Sequence, residues 1–136
     1  MKIVTNSEID SDKVVKAVMI SKSGRFLIMR VLENKKYIGQ WDLPGGHLIV
    51  GEDQISGLVR EVYEETNLLL KNVSVNDLFM VSDVYYYKVD LPPGKIKLSS
   101  EHDKYRFIKL SEMDDYEISE KFQKAIKRAF ELKPRS

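Results

Sequence analysis

A Pro-Gly-Gly turn at residues 44–46, followed by an amphipathic segment crowded with acids, constrains this chain more than any other feature. From residue 45 to residue 68 it reads GGHLIVGEDQISGLVREVYEETNL. Proline and paired glycines break regular structure, so the chain turns there. Residues 52–66 then follow a helical period. On a wheel of about 100° per residue, Ile55, Leu58, Val59 and Val62 share one arc, the expected buried face. Glu61, Glu64 and Glu65, at i, i+3 and i+4, occupy the neighbouring arc, where their carboxylates can converge. Like charges at this spacing repel by only about 0.2–0.5 kcal/mol per pair, so three glutamates on a solvated face are a competing reading. The turn upstream favours the sharper one. It frees backbone carbonyls beside the helix, and hard oxygen ligands of this kind suit Mg²⁺ or Mn²⁺, which hold substrate phosphates. Glu52 and Asp53 are expected to open the helix, where its dipole favours negative charge, and Asn67 to cap its end in a left-handed conformation.

Around this segment, strands precede and follow. The apolar runs 14–20 and 25–31 flank Ser-Lys-Ser-Gly and read as a hairpin. Residues 32–40 form a polar loop with Lys35 and Lys36, read as solvated, and 41–51 hold short extended pieces. Residues 72–91 are long enough for two strands, 92–95 (PPGK) are a turn, and 104–110 are another strand. From 118 to 132, Phe122, Ile126, Ala129 and Phe130 mark an amphipathic helix. Strands, helix, strands, helix is not the alternation of a doubly wound fold; it predicts an α/β chain with a mixed sheet and a helix packed on each side.

Composition removes several alternatives. The absence of cysteine excludes disulfides, thiolate zinc sites and cysteine nucleophiles. The two histidines stand far apart, so a zinc site is not expected, and His102 reads as a structural hydrogen-bonder. A formal net charge of +1 offers no electrostatic footprint for nucleic acid or a membrane surface. No apolar run reaches the roughly 20 residues of a membrane span, and residues 1–13 lack a signal peptide's apolar stretch, so a cytoplasmic location is expected. A chain of 136 residues is expected to form one domain over residues 1–136 and to act as a monomer or homodimer.

The 46–68 stretch resembles the signature of the Nudix hydrolases, G-x5-E-x7-R-E-U-x-E-E-x-G-U with U apolar. Gly46, Glu52, Arg60, Glu61, Val62, Glu64, Glu65 and Leu68 occupy its positions, and Asn67 replaces the last glycine. An accidental match to these positions is on the order of one in a million. GQWDLPGG (39–46) and LSSEHDKYRFIKLSEM (98–113) resemble the family's flanking segments. The resemblance implies a Nudix α/β/α sandwich and metal-dependent hydrolysis of a nucleoside diphosphate linked to another group. It implies that Glu61, Glu64 and Glu65 hold Mg²⁺ or Mn²⁺ with the Gly45 carbonyl, that Arg60 orients the carboxylates, and that Glu52 supports the turn. Glu101 is implied as general base or additional metal ligand.

The expected partner is a small-molecule nucleotide, with no nucleic acid or membrane. Tyr86, 18 residues beyond Leu68, and LSSEHDKYRF give a weaker resemblance to dinucleoside polyphosphate hydrolases; Asp83 stands where the ADP-ribose-cleaving group tends to carry proline. A dinucleoside polyphosphate or a (deoxy)nucleoside triphosphate is therefore the expected substrate, with Arg30, Trp41 and Tyr86 as candidate contacts. A catalytically silent nucleotide sensor is the alternative; the intact acidic motif favours the enzyme. The isomerase branch of the family implies a catalytic cysteine, which is missing here.

Overall fold

The apolar runs at 14–20 and 25–31 lie in strands β1 (Ile9–Ile20) and β2 (Arg25–Val31), in a computed structural model that describes residues 9–33 and 36–132. Residues 1–8, read above for a signal peptide, and Lys35 lie outside the described residues. The expected hairpin forms only at its base, where Ile20 faces Phe26. Beyond that point the arms part, and the broken segment after the polar loop fills the gap. Strand β3 (Trp41–Asp42) pairs with β2, with Trp41 opposite Arg30. Strand β4 (Gly45–Ile49) pairs with β1, with Gly45 opposite Lys16. Leu43 and Pro44 bridge the two, and the Pro44 carbonyl accepts the Ala17 N–H at 2.8 Å. The proline thus sits where it need donate nothing.

Helix α1 (Gln54–Thr66) follows, then β5 (Val75–Val81), β6 (Val84–Asp90) and β7 (His102–Lys109). Ser82 and Asp83 both take left-handed φ, of 50° and 63°, which makes the tight β5–β6 turn. A 3₁₀ helix (Leu110–Asp115) and helix α2 (Glu120–Glu131) complete the order. The sheet has seven strands and is mixed: β6 runs parallel to β1, while β5 pairs with β6 and β7 with β2 antiparallel.

Strand periodicity sorts side chains between two cores. Val15, Ala17, Met19, Leu27 and Met29 face α1 and pack with its Leu58 and Val62. Their neighbours Val18, Phe26 and Ile28 face α2 and pack with Ala125, Ile126 and Ala129. This is the expected mixed sheet between helices. Among the described residues, no helix is long and apolar enough to cross a membrane.

Three local expectations change or sharpen. Asp53 is the N-cap of α1, its carboxylate accepting the Ser56 N–H at 2.8 Å, so Glu52 lies before the helix rather than in its first turn. Asn67 has φ 66° and its N–H bonds the Tyr63 carbonyl, the left-handed cap that the sequence predicts. Ile55 is 43% exposed, although its wheel angle matches the buried arc. It belongs to the first turn of α1; the fully buried side chains Leu58, Val62 and Thr66 come later in the helix, and Glu65 is buried with them.

Candidate active site

Leu58 and Glu65 are seven residues apart, two helical turns, so they differ by only about 20° around α1. Glu65 therefore lies at the edge of the apolar arc and Glu61 and Glu64 progressively farther from it. Side-chain exposure follows that order: 7% for Glu65, 15% for Glu61 and 54% for Glu64. The three carboxylates do not meet at one point. Arg60 Nη1 donates to Glu61 Oε1 at 3.0 Å and to Glu64 Oε1 at 3.1 Å, drawing those two together. Glu65 Oε1 turns inward and accepts the Gly45 N–H at 2.7 Å. The Glu61 carboxylate rests on the turn itself, so close to Gly46 that an added Cβ there would lie 2.3 Å from Oε2.

Arg60 is the hub of this turn. Its Nε and Nη2 donate to the two oxygens of Glu52 at 2.9 Å each, and Nη2 also reaches the His47 carbonyl at 3.1 Å. Glu52 in turn accepts the Ile49 N–H at 3.1 Å. The Arg60 hydrogen bonds hold the Glu52 pKa below the ordinary carboxylate value, and Glu52 raises that of Arg60. A planar fork can serve four groups at once where an ammonium serves a point. Arg60→Lys is expected to lower turnover about 10–100-fold and to cost roughly 1–3 kcal/mol in urea unfolding. Unchanged kcat and midpoint would show that the fork is dispensable.

A second polar cluster lies where β1 and β2 part, and sequence reasoning missed it. Lys16 Nζ donates to Asp42 Oδ1 at 2.9 Å and to the Leu43 carbonyl at 3.1 Å, and lies 5.6 Å from the Phe122 ring centre. Burial opposes its charge, but Asp42 and Glu65 outweigh burial and raise its pKa. Asp42 Oδ2 lies 3.3 Å from His102 Nε2. Burial raises the Glu65 pKa to about 7, with Lys16 and the Gly45 N–H pulling the other way. Burial likewise raises that of Glu61. Lys16 interrupts an apolar strand, VVKAVMI, and that break in the pattern was the available signal. Asp42, Glu52, Glu61, Glu64 and Glu65 share two cationic side chains, Lys16 and Arg60, which leaves the site acidic.

Above the cluster opens a cavity of about 940 Å³. Gly45, Glu65, Glu101 and His102 line one side, and Trp41, Tyr86 and Phe122 form apolar wall. Trp41 packs edge-on against Tyr116 with ring centres 5.1 Å apart, and the Arg106 guanidinium lies 5.9 Å from its ring centre. Tyr86 packs edge-on between Phe79 and Phe122 and is 2% exposed, so its ring cannot serve as an open stacking platform; its buried hydroxyl has no partner. Arg30 does not line the cavity. It is paired with Asp103, Nε to Oδ1 at 2.9 Å and Nη2 to Oδ2, at an irregularity of the β2–β7 register. The donor set fits a divalent cation: acceptor-only carboxylates, a net acidic site, and a buried ring nitrogen, His102 Nδ1, without a hydrogen-bond partner. Among the described residues, the three metal-capable side chains whose donor atoms lie within 4.8 Å of one another are Glu65, Glu101 and His102.

Relatives place this arrangement. A MutT-like protein of Streptomyces ambofaciens is 39% identical over 64 residues, 47% of this chain and 37% of that protein. The match thus spans well under half of that relative. A MutT protein of Methanosarcina mazei superposes with TM-score 0.68 at 28% identity, over 87% of this chain and 91% of its own. A Caenorhabditis elegans Ap4A hydrolase gives TM-score 0.70 at 22% identity, covering 85% and 94%, a likeness of fold. The Nudix domain profile matches residues 11–130, from β1 through nearly all of α2. With that match across the sheet, the acidic turn and both helices, the chain belongs to the Nudix hydrolase family.

Proposed function

We propose that this protein hydrolyses a P–O–P bond of a nucleoside diphosphate linked to another group, with a dinucleoside polyphosphate or a (deoxy)nucleoside triphosphate as substrate. The observation that carries the reading is the position of Glu65, held by the Gly45 N–H on the wall of the 940 Å³ cavity, beside the carboxylates gathered by Arg60. Glu61, Glu64 and Glu65 would hold Mg²⁺ or Mn²⁺ with the Gly45 carbonyl. A bound cation of this kind neutralises the anionic bridge and acidifies water.

The chain's own groups do the rest. Arg60 keeps Glu61 and Glu64 at a fixed spacing. Lys16, inside the cavity wall, adds positive charge toward an anionic substrate. Trp41 and Phe122 give the apolar surface a nucleobase needs. Water attacks phosphorus, the bridging oxygen leaves with the second phosphoryl group, and a carboxylate within hydrogen-bond reach takes the water's proton; Glu101, which lines the cavity, is the candidate. The Ap4A hydrolase of like fold is named for a dinucleoside polyphosphate, in keeping with a substrate of this class.

The test is product release from a panel of dinucleoside polyphosphates, nucleoside triphosphates and ADP-ribose with Mg²⁺ or Mn²⁺. Turnover of at least one member of the first two groups, abolished by chelator, is expected. Tight nucleotide binding without turnover on any of them would instead support the silent sensor.

A further inference from the structure

The His102 ring is anchored at one nitrogen and unsatisfied at the other. Its side chain is 3% exposed. Nε2 lies 3.3 Å from Asp42 Oδ2, and Asp42 is itself fixed through Oδ1 by Lys16 at 2.9 Å. An ionised carboxylate can only accept, so the shared proton sits on Nε2. In the neutral ring Nδ1 then carries a lone pair. That nitrogen has no hydrogen-bond partner, and it lies 3.9 Å from Glu65 Oε2, too far for a hydrogen bond. A buried acceptor left in this way is costly unless something fills the gap.

The surroundings say what would fill it. Glu65, Glu101 and His102 each offer a donor atom within 4.8 Å of the others, a spread that one cation can draw together because the Glu101 side chain is exposed and free to swing. A histidine whose far nitrogen is held by a carboxylate is the usual form of a metal-binding imidazole, since the carboxylate sets the tautomer and raises ligand basicity. The backbone also serves this placement. The β2–β7 register passes from Arg30 opposite Lys104 to Val31 opposite His102, so Asp103 is the extra residue of a bulge. Bulges re-aim side chains and gather near active sites. The Arg30–Asp103 pair clamps this one, and Val31, opposite His102, lines the cavity.

We propose that His102 Nδ1, with Glu65 and Glu101, forms a nitrogen-containing cation position that favours Mn²⁺ and later transition-metal ions over Mg²⁺. It rests on the reading that Glu65 holds a divalent cation. It adds a role at Nδ1 to a ring whose Nε2 makes the expected structural hydrogen bond, to Asp42, and it assigns Glu101 as a ligand rather than the base. Imidazole gains affinity along the transition series, whereas Mg²⁺ keeps oxygen ligands and gains little from a ring nitrogen.

The test uses the full chain, stripped with chelator and loaded with one equivalent of Mn²⁺, in wild type, His102→Gln and His47→Gln. Electron spin-echo modulation from a directly bound ¹⁴N is expected in wild type and His47→Gln and absent in His102→Gln. Calorimetry should show Mn²⁺ affinity falling about tenfold or more in His102→Gln while Mg²⁺ affinity changes little. If His102→Gln folds poorly, the His47→Gln spectrum decides the matter, because His102 is then the one remaining histidine. Bound Mn²⁺ that supports turnover without any ¹⁴N coupling in wild type would overturn the nitrogen ligand and leave the hydrolase reading intact. Failure of wild type both to bind Mn²⁺ and to turn over substrate would remove both.

Discussion

Replacing Glu65 by glutamine is expected to cut metal-dependent turnover by roughly 10²–10⁴-fold and, in the same protein stripped of metal, to raise its melting temperature at neutral pH. Both effects follow from one buried carboxylate. Burial raises its pKa from 4.5 to about 7 in the folded chain. Between those values the folded state keeps a proton that the unfolded chain releases. Stability from this group is therefore full below about 4.5, declines as pH rises, and is lost above about 7. There the buried charge costs on the order of 3 kcal/mol. Glutamine does not titrate, and its amide oxygen can still accept the Gly45 N–H. The melting difference, variant minus wild type, should be small near pH 5 and roughly 10 °C at pH 8. Adding Mn²⁺ should reverse the order, because a ligand that binds only the folded state raises wild type alone. Scanning calorimetry at the two pH values, with and without Mn²⁺, checks this. Equal melting temperatures throughout, or full activity in the variant, would show that Glu65 neither carries a buried charge nor serves the reaction.

Gly45→Ala is expected to remove about 3–5 kcal/mol of folding stability. A Cβ at this position would lie 1.9 Å from the Val15 carbonyl oxygen and 2.8 Å from the Lys16 Cα. Both are backbone atoms of β1, the strand between β4 and β6, so no rotamer change relieves the overlap. The residue also has φ +140°, a conformation that side-chain-bearing residues rarely adopt. Relief would require β4 to draw away from β1, which would carry the Gly45 N–H away from Glu65 and open the cavity wall. Activity should therefore fall with stability. Gly51→Ala is the control: φ +85° with nothing within 4 Å of the added Cβ, so only strain of about 1 kcal/mol is expected. Urea unfolding of the pair measures the difference, and similar midpoints would rule out the backbone overlap as a constraint.

Legibility differed from residue to residue. The two helices were readable from their period, and the paired strands in 72–91 from length and β-rich composition. Asn67 was readable as a cap because few residues tolerate left-handed backbone. Arg60 beside Glu61 and Glu64 came from the family resemblance, and their places on α1 account for the contacts. The inward turn of Glu65 was also present in the sequence, two turns from Leu58, but was masked by grouping it with its acidic neighbours. Arg30 misled: an arginine at a strand end looks the same whether it meets a phosphate or, as here, an aspartate 73 residues away. The first-turn position of Ile55 had no local signature either, since wheel angle does not say how far a helix lies over its sheet.

By itself, then, the order of residues determined the elements, the acidic face of α1 and the break at Pro44, because these depend on neighbours within a few positions. Only the tertiary structure decided that the β1–β2 hairpin parts to admit β3 and β4, and that Lys16, Asp42, Glu65 and His102 meet in the gap. Those residues are separated by as many as 86 positions, from Lys16 to His102, and their pairing depends on strand register and a bulge. Register is a property of two strands together, which no single stretch of sequence carries.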